Sequence, residues 1–362
     1  MRILVAGDRG YIGTVLVPFL REHGHDVDGL DSDLYEGCDF GLPLDVRARP
    51  PADTRDARPE QLAGYDAVAC LAALSNDPLG NLSPATTHSV NVDGTLRLAR
   101  AAKAAGVERF VFFSSCSLYG AAGSAGVAED APMAPVTPYG TSKAVAEQQL
   151  SLLADDVFSP TSLRNATAYG VSPRLRLDIV VNNLTATAVA TGDVHLESDG
   201  SPWRPLVHIE DISRACLAVL EAPRHVVHDQ AFNVGRPEDN IQVRDIAEQV
   251  RDALPGCTLS FAPGAGPDRR DYRVDFGKLA ATFPDLHPQW TARTGIDELV
   301  RAYLERGMTT DDLGSSRYVR LRRINELRGA GLVDDMLRRT TGPLVDSEEP
   351  LGNGRESTMR AS

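Results

Sequence analysis

Tyr139 and Lys143 stand four residues apart in Tyr139-Gly140-Thr141-Ser142-Lys143. On a helix that spacing puts both side chains on one face. An ammonium so placed can stabilise a phenolate, because Tyr titrates near ~10 and a nearby cation lowers that value. The pair is a candidate proton-transfer device. The same string also describes an ordinary exposed helix face. Its chemistry depends on a hydride carrier and a hydroxyl partner elsewhere in the chain.

The N-terminus offers the carrier. Residues 2–6 are an apolar run without turn residues and read as a buried parallel strand. Gly7-Asp8-Arg9-Gly10-Tyr11-Ile12-Gly13 follows, and residues 14–23 read as a helix. Strand, turn and helix N-terminus together make an anion site of free backbone N–H groups. Gly7, Gly10 and Gly13 let backbone approach a pyrophosphate, with Arg9, Tyr11 and Ile12 in the same turn. The spacing is Gly-x-x-Gly-x-x-Gly, not the general Gly-x-Gly-x-x-Gly. An ordinary βα turn is the competing reading. A second strand over 25–30 ends at Asp31, 18 residues past Gly13. The acid that binds an adenosine ribose is expected about 20 residues on. A carboxylate there repels a 2′-phosphate, which favours NAD over NADP. Asp33, two residues on, keeps a solvated loop acid in play, but strand, glycines and acid in register favour the dinucleotide.

Further elements must position these groups. A strand over 65–71 leads into Leu71, Ala72 and Ala73, where small side chains leave room for a cofactor. Asp45 and Val46 are expected to cap the adenine pocket. A long helix over 84–106 carries Asn91. A strand over 107–113 ends in Ser114-Ser115-Cys116-Ser117, and the Tyr139 helix continues to about residue 154. Another strand starts at 161. The alternation predicts an α/β fold with a doubly wound parallel sheet. Beyond 171 the pattern loosens: a helix over 177–191 holds Asn182 and Asn183, a strand over 231–235 returns to the sheet, and a helix spans 241–253. Residues 340–362 are poor in apolar groups and are expected to be disordered.

With 362 residues the chain can hold one large or two unequal domains. Its 24% charged and 42% hydrophobic content is that of a soluble globular protein. A net charge of -13 argues against nucleic acid and anionic membrane as partners, so phosphate must be held locally. No run has the length of a membrane span or signal peptide, and the expected compartment is the cytoplasm. The five Cys (38, 70, 116, 216, 257) lack close pairing and the eight His form no ligand cluster, so no metal site is expected.

The chain resembles the extended short-chain dehydrogenase/reductases, in particular the nucleotide-sugar epimerase/dehydratase group. The likeness is carried by the Gly7–Gly13 string, Leu71-Ala72-Ala73, Ser114-Ser115-Cys116-Ser117-Leu118-Tyr119-Gly120 and Pro138-Tyr139-Gly140-Thr141-Ser142-Lys143. Leu163-Arg164-Asn165-Ala166-Thr167-Ala168-Tyr169-Gly170 and Arg204-Pro205-Leu206-Val207-His208-Ile209-Glu210-Asp211 extend it, in order, over roughly residues 1–305.

The resemblance implies a Rossmann domain over 1–170, joined by 206–235, and a smaller C-terminal substrate domain over 171–205 and 236–305. A helical segment over 306–339 lies outside that core. The resemblance also implies Ser115 and Tyr139 as catalytic residues, and Lys143 as their electrostatic partner and a ribose ligand. A Tyr of depressed pKa could then take and return a proton near neutral pH. The dehydratases of the group place Asp-Glu directly after the catalytic hydroxyl residue; here those positions are Cys116 and Ser117. Their absence favours epimerisation, at C4, over elimination. By the same likeness Ser117, Thr167, Asn182, Asn183, Arg204 and Arg270 would contact the nucleotide sugar. Arg174, Arg176 and Asp178 would face its sugar. Thr167 departs from a frequent Asn. A homodimer through the helices over 84–106 and 139–154 is a further implication. Two alternatives remain: a dehydratase or net oxidoreductase on the same fold, and a non-enzymatic NAD-binding regulatory module.

Overall fold

The computed structural model describes residues 1–45, 47, 49–120, 123–263 and 271–340. Six parallel strands form its central sheet: β1 Arg2–Ala6, β2 Asp26–Leu30, β3 Ala67–Cys70, β4 Arg109–Ser115, β5 Ser159–Asn165 and β6 Gln230–Val234. Their spatial order is β2-β1-β3-β4-β5-β6. The chain therefore reverses direction across the sheet between β1 and β3. In open α/β sheets ligands bind outside the carboxyl ends of the strands at such a point.

Both faces of the sheet are covered. Ile3 and Val5 pack into one core with Leu16, Leu20 and Ile212, while Leu4 and Ala6 pack on the opposite face with Leu98, Phe110 and Phe158. Alternation along β1 thus buries every second residue on each side, which is why the strand reads as continuous apolar sequence. Each fully buried Val, Leu or Ile side chain contributes about 1.5–3 kcal/mol.

The smaller half is built from short pieces. Trp203–His208 pairs antiparallel with Asn240–Gln242 and parallel with Thr167–Tyr169. Thr258–Phe261 pairs with Asp193–Leu196, and Tyr272–Val274 with Gly123–Val127. A separate apolar core joins the Val180–Thr191, Val243–Ala253 and Ala292–Arg306 helices through Val181, Leu184, Ile246, Ile296 and Leu299.

Several expectations shift. The helix expected over 84–106 is α-helical over Pro84–His88, a π turn over Ser89–Asp93, and α-helical again over Gly94–Ala104. The helix expected from 177 begins at Val180, because Arg176, Leu177 and Asp178 stay in irregular backbone at the cavity. Residues 206–208 belong to the smaller three-stranded sheet, and only Gln230–Val234 of the returning stretch joins the central one. Residues 341–362, expected to be disordered, lie outside the described residues.

Candidate active site

The carboxyl ends of β1 and β3 open onto a cavity of about 860 Å³. Gly7 ends β1 with φ of 93°, in the left-handed region where glycine is favoured. A Cβ on Gly7 would lie 2.8 Å from the Ala72 nitrogen, and one on Gly13 would lie 2.1 Å from the Gly7 carbonyl oxygen. The turn closes through Gly10 N–H donating to Gly7 O at 3.1 Å. Gly13 opens the first helix, Gly13–Glu22, and no side chain caps it. Thr14, Val15 and Leu16 N–H donate to Gly10 O and Ile12 O, so a phosphate is left to the backbone of the glycine turn itself at the positive end of the helix. Gly7, Gly10, Tyr11, Ile12 and Gly13 all line the cavity, as do Leu71, Ala72 and Ala73.

Asp31 also lines this cavity. Its carboxylate accepts from Arg9 N–H at 3.1 Å and Asp33 N–H at 2.8 Å, which fixes its direction. Burial pushes its pKa up. The Arg9 side chain, expected at the cofactor, pairs instead with Asp33 and donates to Arg49 O at 2.9 Å. It is engaged with protein, so its backbone, not its guanidinium, serves the site. A backbone cradle with no room for Cβ atoms, an uncapped helix start and an oriented acid fit NAD.

The reactive side chains sit across the cavity. β4 delivers Ser114 and Ser115 at its carboxyl end. The Pro138–Ser151 helix follows a Thr137 N-cap, whose Oγ1 accepts from Gly140 N–H at 3.1 Å, with Pro138 at the first helical position. Tyr139 and Lys143 then share a face, with Lys143 Nζ 5.9 Å from the Tyr139 ring centroid. Ser115 lies near enough to Tyr139 to pull its phenol down, while its own hydroxyl donates to Ser117 Oγ at 3.1 Å. Lys143 Nζ donates to Phe113 O at 2.7 Å.

The electrostatics depart from expectation. Burial pushes the Tyr139 phenol up, against the opposing pull of Ser115 and Arg176. Lys143 is itself moved down to about 8, again by burial, opposed by Cys70 and Glu147. The low dielectric that surrounds both groups disfavours phenolate and ammonium alike.

Other expected residues divide. Ser117, Thr167, Asn183 and Arg204 line the cavity. Ser114 lines it too, but its hydroxyl turns away to Glu147 Oε2 at 2.8 Å. Asn182 is fully buried: its amide accepts from Gly170 N–H and donates to Tyr11 OH, both at 3.1 Å. It braces the glycine turn against the second half of the chain and does not reach a ligand. Asp45 is exposed and paired with Arg21 at 2.7 Å, so it does not cap the adenine pocket. Ala52, Asp53, Thr54 and Arg55 line the cavity from that connection. Val46 and Arg270 lie outside the described residues. Arg174 turns to Asp39 and Tyr35, whereas Arg176 and Asp178 do line the cavity as a buried pair, 2.7 Å apart. Asn76 Nδ2 also donates to Asp178 at 2.8 Å, and Arg176 Nη1 to Ser75 Oγ at 2.6 Å.

Two supports have roles that the sequence did not assign. Glu147 continues the four-residue spacing of Tyr139 and Lys143, and that spacing was the available signal. It accepts from Ser114 and, at 2.9 Å, from Arg164 Nε; Arg164 donates to Tyr119 OH at 2.7 Å. Asn91, in the π turn, accepts from Leu74 N–H at 2.7 Å and donates to Leu74 O at 3.1 Å and Ser142 Oγ at 2.9 Å. It ties the loop after β3 to the Tyr139 helix. Nothing in local sequence marks that role.

Known proteins place this geometry. Residues 3–235 match the NAD dependent epimerase/dehydratase family. A UDP-glucose 4-epimerase of Corynebacterium glutamicum is 31% identical over 70% of this chain and 80% of its own. MoeE5, solved with UDP-glucuronic acid and NAD, superposes with a TM-score of 0.73 at 26% identity, over 84% of this chain and 99% of its own. DesIV, a dTDP-glucose 4,6-dehydratase of Streptomyces venezuelae solved with NAD, gives 0.72 at 26% identity, over 86% and 99%. With its parallel sheet, glycine turn and Tyr139–Lys143 helix, the chain belongs to the NAD-dependent epimerase/dehydratase family.

Proposed function

We propose that the protein epimerises a nucleotide-activated sugar at C4 by transient oxidation to a keto-sugar. The observation that carries this reading is the chemistry of the two residues after Ser115. Cys116 is fully buried, its thiol donates to Arg164 O at 3.1 Å, and burial pushes its pKa far up. Ser117 offers a hydroxyl that accepts from Ser115 Oγ at 3.1 Å. Neither position carries a carboxylate to eliminate water.

In this reading Tyr139 takes the proton of the sugar hydroxyl and later returns it, and Ser115 holds the same oxygen. Lys143 supplies the cation beneath them. NAD, when bound, accepts the hydride from the carbinol carbon and gives it back. The keto-sugar presents its other face between the two transfers. Ser117, Thr167, Asn183 and Arg204 are the proposed substrate contacts, with residues 171–205 and 236–305 as the substrate domain. Arg suits phosphate through its paired donors. A homodimer through the helices over 84–106 and 139–154 belongs to the same reading.

A dehydratase reading draws on Asp77, which lines the cavity near enough to Tyr139 to raise its pKa. One experiment separates the two. Purified protein is incubated with UDP- and dTDP-sugars in deuterated water without added cofactor. Epimerisation gives a product of unchanged mass and no net NADH. Loss of water, or NADH formed in proportion to product, refutes it.

A further inference from the structure

The segment after the Ala292–Arg306 helix folds back onto the cofactor side of the molecule. It contains two helices, Thr310–Leu313 and Arg320–Gly329, then a turn closed by a bridge between Val333 and Arg339. Contacts to the cofactor half of the chain fasten that turn. Arg339 Nε donates to Ser32 O at 2.8 Å, Arg55 Nη1 to Met336 O at 2.8 Å, and Thr86 Oγ1 to Asp335 O at 3.0 Å. Arg338 pairs with Asp56 at 2.8 Å. Beneath it Leu34, Leu74, Leu79, Ile324, Leu327 and Leu337 form an apolar cluster of their own.

These anchors surround one end of the cavity. Ser32 follows Asp31, and Arg55 is itself a cavity residue. Leu337 lines the cavity beside them and is held at φ of 56°, a conformation bulky residues rarely adopt. Arg320 lines it as well. Its guanidinium lies 4.2 Å over the Tyr35 ring and its Nη2 donates to Arg174 O at 2.8 Å. Its Nη1 is buried and has no hydrogen-bond partner among the described residues. The segment thus offers a ligand both an apolar side chain and a donor without an acceptor.

We propose that Arg320 and Leu337 form a wall of the dinucleotide cavity, with Leu337 packed against the adenosine half of bound NAD. The wall raises retention of the cofactor, which a reaction that returns its own hydride requires. This rests on adenosine lying beside Asp31, and it extends the epimerase reading without depending on turnover.

The test uses cofactor-stripped full-length protein and calorimetry with AMP, nicotinamide mononucleotide and NAD. Leu337→Gly keeps the backbone conformation and removes the contact. We expect AMP and NAD to bind about fivefold more weakly, the loss of part of one apolar side-chain contact, with nicotinamide mononucleotide unchanged. Leu332→Ala, on the exposed part of the same segment, should leave all three unchanged. Wild-type AMP and NAD affinities in Leu337→Gly would overturn the proposal. An equal loss for AMP and nicotinamide mononucleotide would overturn it too, because that pattern reports a general loosening of the fold. None of these readouts involves the sugar, so the result is independent of which reaction the site performs.

Discussion

Lys143 Nζ donates to the carbonyl oxygen of Phe113 at 2.7 Å, two residues before Ser115 on β4. The bond joins the helix that carries Tyr139 to the strand that carries its hydroxyl partner. Burial draws the Lys143 pKa down, against the pull of Cys70 and Glu147.

That conflict predicts a trade between stability and activity. Lys143 is moved from 10.5 down to about 8. The shift amounts to about 3 kcal/mol against the folded state at neutral pH, less about 1 kcal/mol for the hydrogen bond to Phe113. Lys143→Met should therefore stabilise the cofactor-free protein by on the order of 2 kcal/mol at pH 7. Between pH 8 and 10.5 the folded form binds fewer protons than the unfolded chain, so wild-type stability rises with pH and the advantage of Met shrinks. Urea denaturation at about pH 7 and about pH 9.5 measures both; a Met variant less stable than wild type at neutral pH would contradict the sign.

Tyr139→Phe removes the proton acceptor and leaves the cavity shape intact. Turnover should fall by about 10²–10⁴, the usual worth of a positioned acid–base group, while bound NAD stays at the wild-type level. Steady-state kinetics and cofactor content after denaturation are read together. Retained turnover would remove Tyr139 from the chemistry.

Glu147→Gln should destabilise the fold by about 3 kcal/mol, because it leaves the Arg164 guanidinium buried without its counter-charge. Both side chains are almost wholly buried. The readout is the urea midpoint of cofactor-free protein. A shift below about 1 kcal/mol would mean that Tyr119 OH and Glu129 O suffice for Arg164.

Gly13→Ala places a methyl group 2.1 Å from Gly7 O, which is backbone and must move. NAD affinity should drop at least about tenfold, or about 1.4 kcal/mol, through distortion of the turn. Calorimetry on cofactor-stripped protein measures it, and wild-type affinity would contradict the tight approach at this turn. Gly24→Ala is not an equivalent control, since its φ of 84° brings its own strain. Gly329, with open space around its Cβ position, is.

Much of this architecture was legible in the chain. Parallel strands covered on both faces read as apolar runs, so β1, β3 and β4 stood out, and the glycine turn followed from its place after β1. Tyr139 and Lys143 were visible because helical spacing is local. What local pattern could not show was direction and company. Ser114 follows a buried strand in either reading, but only the fold turns its hydroxyl to Glu147. Asn182 and Asn183 are adjacent, yet the helix puts one against Tyr11 and the other at the cavity. A lowered Tyr139 pKa was the wrong expectation because the spacing displays the cation and hides the burial. Arg320 and Leu337 reach the cavity from about 300 residues beyond Asp31, a proximity that no local pattern encodes.

The π turn at Ser89–Asp93 carries one residue more than an α-helix would need there. Removing a single residue from it would restore regular winding and leave the flanking faces nearly in phase, so the change falls on the residues inside the turn. Asn91 would swing off Leu74, and the loop that leads from β3 into the cavity would lose its latch. A deletion that looks harmless on paper, inside an unbroken helix, would thus unfasten the floor of the site. Helix length in this stretch is a constraint in its own right, separate from the identity of any one side chain.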